Sequence, residues 1–258
     1  MATLDGTEIL RQLSDPFYPE CHVRESVTST FDWLKELERS GAPEGTIVIA
    51  ERQSAGRGRR GRVWQSPAGG AWFGILLKPK IPVTQSGCIS VLSAVAIAQA
   101  LREHYNRPVE VKWPNDLWLY QKKLGGILSE LTTAGNRVES LLLGIGINVN
   151  NAVPKDVRIE AISLAETLGH DVGLQDFFAA VLTEFASRYR NFLEHGFELV
   201  RTEWERVSAL SESIWIERED QKIIARVREL SSLGKLVVEI NGRIEELVAD
   251  DVTLSLKE

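Results

Sequence analysis

The spacing of apolar and polar positions changes several times along the chain, and each change marks an element. Residues 22–27 read as a short strand. Phe31, Leu34 and Leu37 then recur at helical spacing, which predicts a helix over 29–40, capped by Thr28 or Ser29 and stopped at Gly41. TIVIAE at 46–51 is a β-branched run of strand length, and residues 56–70, with five glycines, four arginines and no apolar period, predict a loop. A strand over 71–77 and a buried helix over 87–105 come next, the helix carried by Leu92, Val95, Ala96 and Leu101. Apolar runs at 109–113, 117–120, 125–131 and 140–149 predict four more strands, and helices follow over 175–194 and 197–210. Beyond Ser211 the pattern shortens to IWIE, KIIARVREL, KLVVEI and IEELVADDVTLSL, with turns at EDQ, SSLG and NGR; Asn241-Gly242 is a hairpin signal. The chain therefore divides into an α+β domain over 1–210 and a small β-barrel over 211–258.

Composition narrows the class. The 258 residues carry 30 Lys and Arg against 36 Asp and Glu, net −6, with 43% hydrophobic content, ordinary for a globular protein. Cys21 and Cys88 stand far apart with no CxxC or Cys/His spacing, which argues against a zinc site or disulfide framework and predicts two reduced thiols in the cytoplasm. The start, MATLDGTEIL, has neither basic leader nor apolar stretch, so no signal peptide is expected. Residues 81–101 lack charge but contain Pro82, Gln85, Ser86 and Gly87, and read as a buried helix, not a membrane span.

Charge is distributed unevenly. Between Arg52 and Arg102 there are eight cations and no acid, leaving −14 over the other 207 residues. Such an island is a local device for an anion; a general nucleic-acid binder would be basic over a whole face. Within it, residues 56–61, GRGRRG, match GxGxxG after a predicted strand, but no helix opens at the third glycine and no acid follows before Glu103 to hold a ribose. A P-loop is absent too. What the segment offers is guanidinium groups on glycines, suited to phosphate or carboxylate. KWPND ends a strand and turns through Asn115-Asp116, Lys123 precedes a glycine-started strand, and GIGIN at 144–148 reads as a core strand, its glycines serving either core packing, the favoured reading, or the close passage of another backbone or a ligand. The scattered histidines have no Ser or Cys partner in a triad-like context. Trp64, Trp72, Trp113 and Trp118 lie near these motifs and either wall a ligand or fill the core.

Taken in order, STFDWL, AERQSAGRGRRGRVWQSPAGG, KWPNDLW, KKLGGIL and GIGINVN resemble the biotin protein ligase family over residues 22–150. The resemblance implies a mixed-sheet catalytic domain like those of class II synthetases, a C-terminal SH3-like barrel, and two half-reactions. Biotin and Mg²⁺-ATP give biotinyl-5'-AMP, then the biotinyl group passes to a lysine of a biotin carboxyl carrier protein. It places Ser29, Thr30 and Gln53 at the ureido ring, with Phe31, Gly56 and Gly126 around biotin. Arg57, Gly58 and Arg59 line biotin and adenylate, and Lys123 meets the carboxylate and reacting phosphate. Arg60, Arg62, Trp64 and Asn148 fall to the adenylate, and Asn115 and Asp116 to the nucleotide and its metal, with Asn115 as magnesium ligand; apart from the resemblance, transfer to a carrier lysine calls for an assisting base, for which Asp116 is the candidate. Phe31 departs from the polar residue the family commonly has there.

Two other readings compete: a lipoate or octanoate ligase of the same fold, and a nucleic-acid-binding module using the arginine loop. The 21 residues before the first predicted strand are too few for a winged helix-turn-helix, so no operator-DNA binding is expected, nor any membrane partner. The resemblance also admits a homodimer.

Overall fold

The computed structural model describes residues 4–153, 160–218, 221–248 and 253–256. In chain order the elements are α1 (Gly6–Leu13), β1 (Cys21–Val27), α2 (Thr30–Arg39), β2 (Ile47–Gln53), β3 (Ala71–Leu77), α3 (Ser86–Tyr105), β4 (Glu110–Lys112), β5 (Asp116–Leu119), β6 (Lys122–Ala134), β7 (Arg137–Ile147), α4 (Leu164–Leu168), α5 (Leu174–His195), α6 (Glu198–Val207), β8 (Ser213–Arg218), β9 (Gln221–Leu230), β10 (Leu236–Ile240), β11 (Arg243–Leu247) and β12 (Thr253–Leu256). Two were not expected from the sequence, α1 and α4. Both are short, and each is started by a cap, Asp5 accepting from Thr7 N and Ser163 accepting from Glu166 N, so an apolar period is barely established within them.

β1 to β7 form one sheet in the order β1-β2-β3-β7-β6-β5-β4, parallel only between β1 and β2, which is the mixed α+β arrangement expected. Alternation along the strands sorts side chains between two faces. Ile47, Ile49, Phe73, Ile75, Leu143 and Ile145 join the main core under α3 and α5. Val48, Leu76 and Leu142 face the other way and meet Phe31, Trp33 and Leu34 of α2. On β7 that second face also carries Gly144 and Gly146. Removing side chains from the middle of a covered sheet face leaves room, and the room is where the site lies.

The uncharged stretch forms α3 within the core. The span Val83–Tyr105 is long and apolar enough to cross a membrane, but α3 packs on α5, α6 and the sheet with most of its residues buried.

β8 to β12 form a second, antiparallel sheet in the order β11-β10-β9-β8-β12. The Asn241-Gly242 hairpin forms as expected, both residues at positive φ (51° and 77°) and Ile240 paired with Arg243. The described pairings give an open order of five strands. Parts of the EDQ turn and of the last predicted run, residues 219–220 and 249–252, lie outside the described residues.

The turn between β9 and β10 reaches back to the first sheet. Trp113 Nε1 donates to Gly234 O at 2.9 Å, and Cys88 Sγ donates to Ser232 O at 3.7 Å. Trp113 is 3% exposed, so Trp113→Phe would leave a buried carbonyl without its donor. Urea denaturation of the full chain should show a loss of about 1–3 kcal/mol; an unchanged midpoint and slope would remove this tie from the account.

Candidate active site

A cavity of about 570 Å³ opens on the α2 face of the first sheet. Its floor is set by glycines. A Cβ at Gly144 would stand 2.7 Å from Phe31 Cδ2, and one at Gly146 would stand 2.6 Å from Trp64 Nε1, so both rings lie directly on the bare strand. The glycines of GIGIN thus do more than pack the core: they admit two rings that wall the cavity.

At one end, α2 begins. Ser29 caps the helix by accepting from Phe31 N at 3.2 Å, and its hydroxyl proton can still be donated into the cavity. Thr30 is buried beside it and donates from both N and Oγ1 to Gln53 Oε1, at 2.8 and 3.0 Å, while Gln53 Nε2 donates to Ser66 Oγ at 2.7 Å. Gln53 is therefore a strut between the helix and the far end of the arginine loop, with both arms of its amide engaged.

The loop closes one side. Isolated bridges Gln53↔Ser66 and Arg57↔Val63 pair its two limbs, Gly58 N donates to Arg62 O and Trp64 N to Gly56 O, and a 3₁₀ turn, Arg59–Gly61, makes the tip. Two of its arginines reach opposite walls. Arg57 Nη2 lies 3.0 Å from Asp32 Oδ1 in the first turn of α2, and Arg59 Nη1 donates to Asn115 Oδ1 at 3.0 Å. Arg60 and Arg62 line the cavity but are largely exposed.

The third wall is KWPND with β6. The Trp113-Pro114 peptide is cis. Asn115 is pinned on both sides, its Nδ2 donating to Ile127 O at 2.6 Å. Lys123 Nζ lies 2.8 Å from Asp116 Oδ1 and 5.3 Å from the centre of the Trp64 ring, and its main chain is held by Glu160 O and Ile162 N. Gly126 passes beneath this ion pair: a Cβ there would sit 3.3 Å from Asp116 Oδ1. Lys112 adds another cation, its ammonium held below the ordinary lysine range chiefly by burial and resting 4.6 Å from the Trp118 ring.

Of the residues the resemblance assigns to biotin, the nucleotide or the reaction, all line this cavity except Gly56. That glycine sits under the loop, where a Cβ would meet Trp64 O at 2.4 Å. Trp64 and Trp113 line the cavity, whereas Trp72, fully buried, and Trp118 belong to the fold. Lys112 was passed over because nothing in its sequence position separated it from a solvated strand-end lysine. The magnesium expectation for Asn115 fits poorly. Its Oδ1 already accepts from Arg59, Asp116 is the one carboxylate lining the cavity among the described residues, and that carboxylate is paired with Lys123. No group of three metal-ligating side chains occurs among the described residues. The residues present do not build a resident cation site; magnesium would enter with a nucleotide's phosphates.

Six cationic side chains, one paired carboxylate, and a hydroxyl-lined apolar end describe a cavity for a ligand that is anionic in one part and neutral in another. Residues 23–148 match the family described as biotin/lipoate A/B protein ligase. The bifunctional ligase/repressor BirA of Bacillus subtilis is 34% identical over 233 residues, 88% of this chain and 72% of that protein. The chain belongs to the biotin protein ligase family. A second ligase, the biotin–[acetyl-CoA-carboxylase] ligase of Paracoccus denitrificans, is 33% identical over 175 residues, 65% of this chain and 72% of its own. Among solved structures, the biotin protein ligase of Aquifex aeolicus, in complex with biotin and ATP, superposes with a TM-score of 0.81 at 28% identity, covering 93% of this chain and 100% of that one. Biotin protein ligases thus share both the mixed sheet and the C-terminal antiparallel sheet seen here.

Proposed function

We propose that this protein joins biotin to ATP as biotinyl-5'-AMP and transfers the biotinyl group to a lysine of a biotin carboxyl carrier protein in the cytoplasm. The observation that carries this reading is the convergence of Arg57, Arg59 and Lys123, from two separate segments, on one cavity whose far end is Ser29, Thr30 and Phe31. The hydroxyls suit the ureido ring and the apolar rings suit the bicycle and acyl chain. The reacting groups lie toward Lys123, and Trp64, Asn115, Asp116 and Asn148 flank the nucleotide.

In the first step a biotin carboxylate oxygen attacks the α-phosphorus, the bond from phosphorus to the bridging β-oxygen breaks, and pyrophosphate leaves. Two anions meet, so fixed cations lower the barrier most where charge builds up, on the α-phosphoryl oxygens. Lys123 is aimed by Asp116 and Arg59 by Asn115, so neither cation has to be ordered during the reaction. In the second step the neutral carrier amine attacks the acyl carbon, AMP leaves and a proton is lost; Asp116 is the carboxylate at hand to take it. The loop, tied to both walls, keeps water from the acyl phosphate. Inward engagement of Arg57 and Arg59 also speaks against the nucleic-acid reading, and the names of the relatives do not favour lipoate. Free Cys21 and Cys88, each pushed up to about 12 by burial, suit a reducing compartment.

The test is incubation with ATP, Mg²⁺, a carboxyl carrier domain and either biotin or lipoate. The mass of the carrier should rise by one biotinyl group with biotin and stay unchanged with lipoate; a lipoyl adduct and no biotinyl adduct would overturn the substrate.

A further inference from the structure

The strand that ends in GIGIN runs on into Val149, Asn150 and Asn151, and the last of these is buried, 3% exposed, with every polar atom of its side chain engaged. Val149 N donates to Asn151 Oδ1 at 3.1 Å, and Asn151 Nδ2 donates to Asn148 Oδ1 at 3.0 Å and to Ala152 O at 3.2 Å. The orientation follows from donors and acceptors alone. A backbone N–H only donates, so the Asn151 atom facing Val149 is its oxygen, and the NH₂ faces Asn148. Two NH₂ groups cannot bond each other, so the atom that Asn148 turns toward Asn151 is its oxygen. The NH₂ of Asn148 is left at the other edge of the amide, pointing away from Asn151.

Asn148 itself is 4% exposed, lines the cavity, and is fixed through its main chain by Leu124 O and Leu164 N. Leu124 follows Lys123, which places Asn148 at the reacting end of the cavity and away from Ser29 and Thr30. We infer that Asn151 is a positioning residue: it locks the Asn148 amide with its NH₂ toward the ligand, so that this wall donates a hydrogen bond to an acceptor on the nucleotide. The inference rests on the functional reading above. An amide able to flip would offer oxygen or nitrogen indifferently; one held by Asn151 offers only a donor, and a ligand presenting a donor there leaves both groups unpaired.

The experiment uses the full chain, with biotin-dependent ATP–pyrophosphate exchange measured against ATP and against biotin. Asn151→Asp keeps the size and the acceptor for Val149 N–H but cannot donate to Asn148, whose amide then turns round. Its KM for ATP should rise about tenfold, the worth of one hydrogen bond, with KM for biotin and kcat within about twofold. Asn148→Ala should raise the ATP KM similarly, and Asn151→Asp added to it should do nothing more. Asn148→Asp keeps the contact with Asn151 and places an oxygen toward the nucleotide, so it serves even where Asn151→Asp folds poorly, and its ATP KM should rise at least as far. The inference is overturned by an unchanged ATP KM in a folded variant, by ATP and biotin KM rising together, or by additive effects in the double variant. A wild-type chain without exchange would sink the functional reading and this inference with it; an active wild type with unaffected variants sinks the inference alone.

Discussion

Replacing Lys123 with alanine should lower biotin-dependent ATP–pyrophosphate exchange roughly 10²–10³-fold, the usual loss when one fixed charge-stabilising donor is removed. The fold should survive, because Lys123 is held through its backbone: its N–H donates to Glu160 O at 2.8 Å and its carbonyl accepts from Ile162 N at 3.0 Å, neither involving the side chain. What disappears is the ammonium 2.8 Å from Asp116. That carboxylate then faces the incoming anions with only the more distant Lys112 to offset it, so the loss includes a new repulsion as well as a missing attraction. Arg59 does not move in to replace it, being bonded to Asn115 across the cavity. Lys123→Arg should rescue little, since a planar guanidinium would pair with Asp116 through its fork and stack on the Trp64 ring, leaving its spread charge turned away from the phosphate where the lysine presents a point charge. Exchange kinetics beside a circular-dichroism melt check this; wild-type exchange in a folded Lys123→Ala protein would remove Lys123 from the mechanism.

The parts of the site that were legible beforehand are those encoded by local pattern. The Phe31, Leu34, Leu37 spacing gave α2 and with it the positions of Ser29 and Thr30; the glycines of GIGIN signalled a close approach, but that Phe31 and Trp64 make it is visible only in three dimensions. Hidden were the pairings between segments far apart in sequence. That Gln53 and Asn115 are consumed as struts depends on Ser66, Ile127 and Arg59 arriving from elsewhere, and no spacing along the chain announces it. The same holds for Arg57 on Asp32 and for Asn151 behind Asn148. The cationic island also divides only in three dimensions. Lys78 Nζ donates to Ala42 O and Arg102 Nε to Val109 O, so these two fasten turns to the fold, while the arginines of residues 57–62 border the cavity. An eight-to-zero charge imbalance pointed to an anion, but half of what it counted is scaffolding or surface.

Gly146→Ala should cost about 10² in exchange activity, and the reason is displacement, not lost chemistry. A Cβ there would stand 2.6 Å from Trp64 Nε1 and 3.0 Å from Cε2, inside van der Waals contact with a ring. Strand β7 lies between β3 and β6 and cannot retreat, paired at this residue with both Trp72 and Gly126. Trp64 belongs to the loop and is only partly buried, so it is the group that gives way. Moving it disturbs the ring beside Lys123 Nζ and pulls on the limb that Gln53 braces through Ser66. A shift of about 1 Å in such a wall suffices for a hundredfold loss in groups that must be aligned. Stability should change little by comparison, because the loop absorbs the strain. Gly87→Ala supplies the control: its Cβ would meet nothing nearer than Leu233 O at 3.7 Å, and alanine favours the helix, so activity should stay at the wild-type level. Tryptophan fluorescence on biotin addition, read with exchange kinetics, separates the cases. Normal activity in Gly146→Ala would mean that the indole need not lie on the strand for the reaction to proceed.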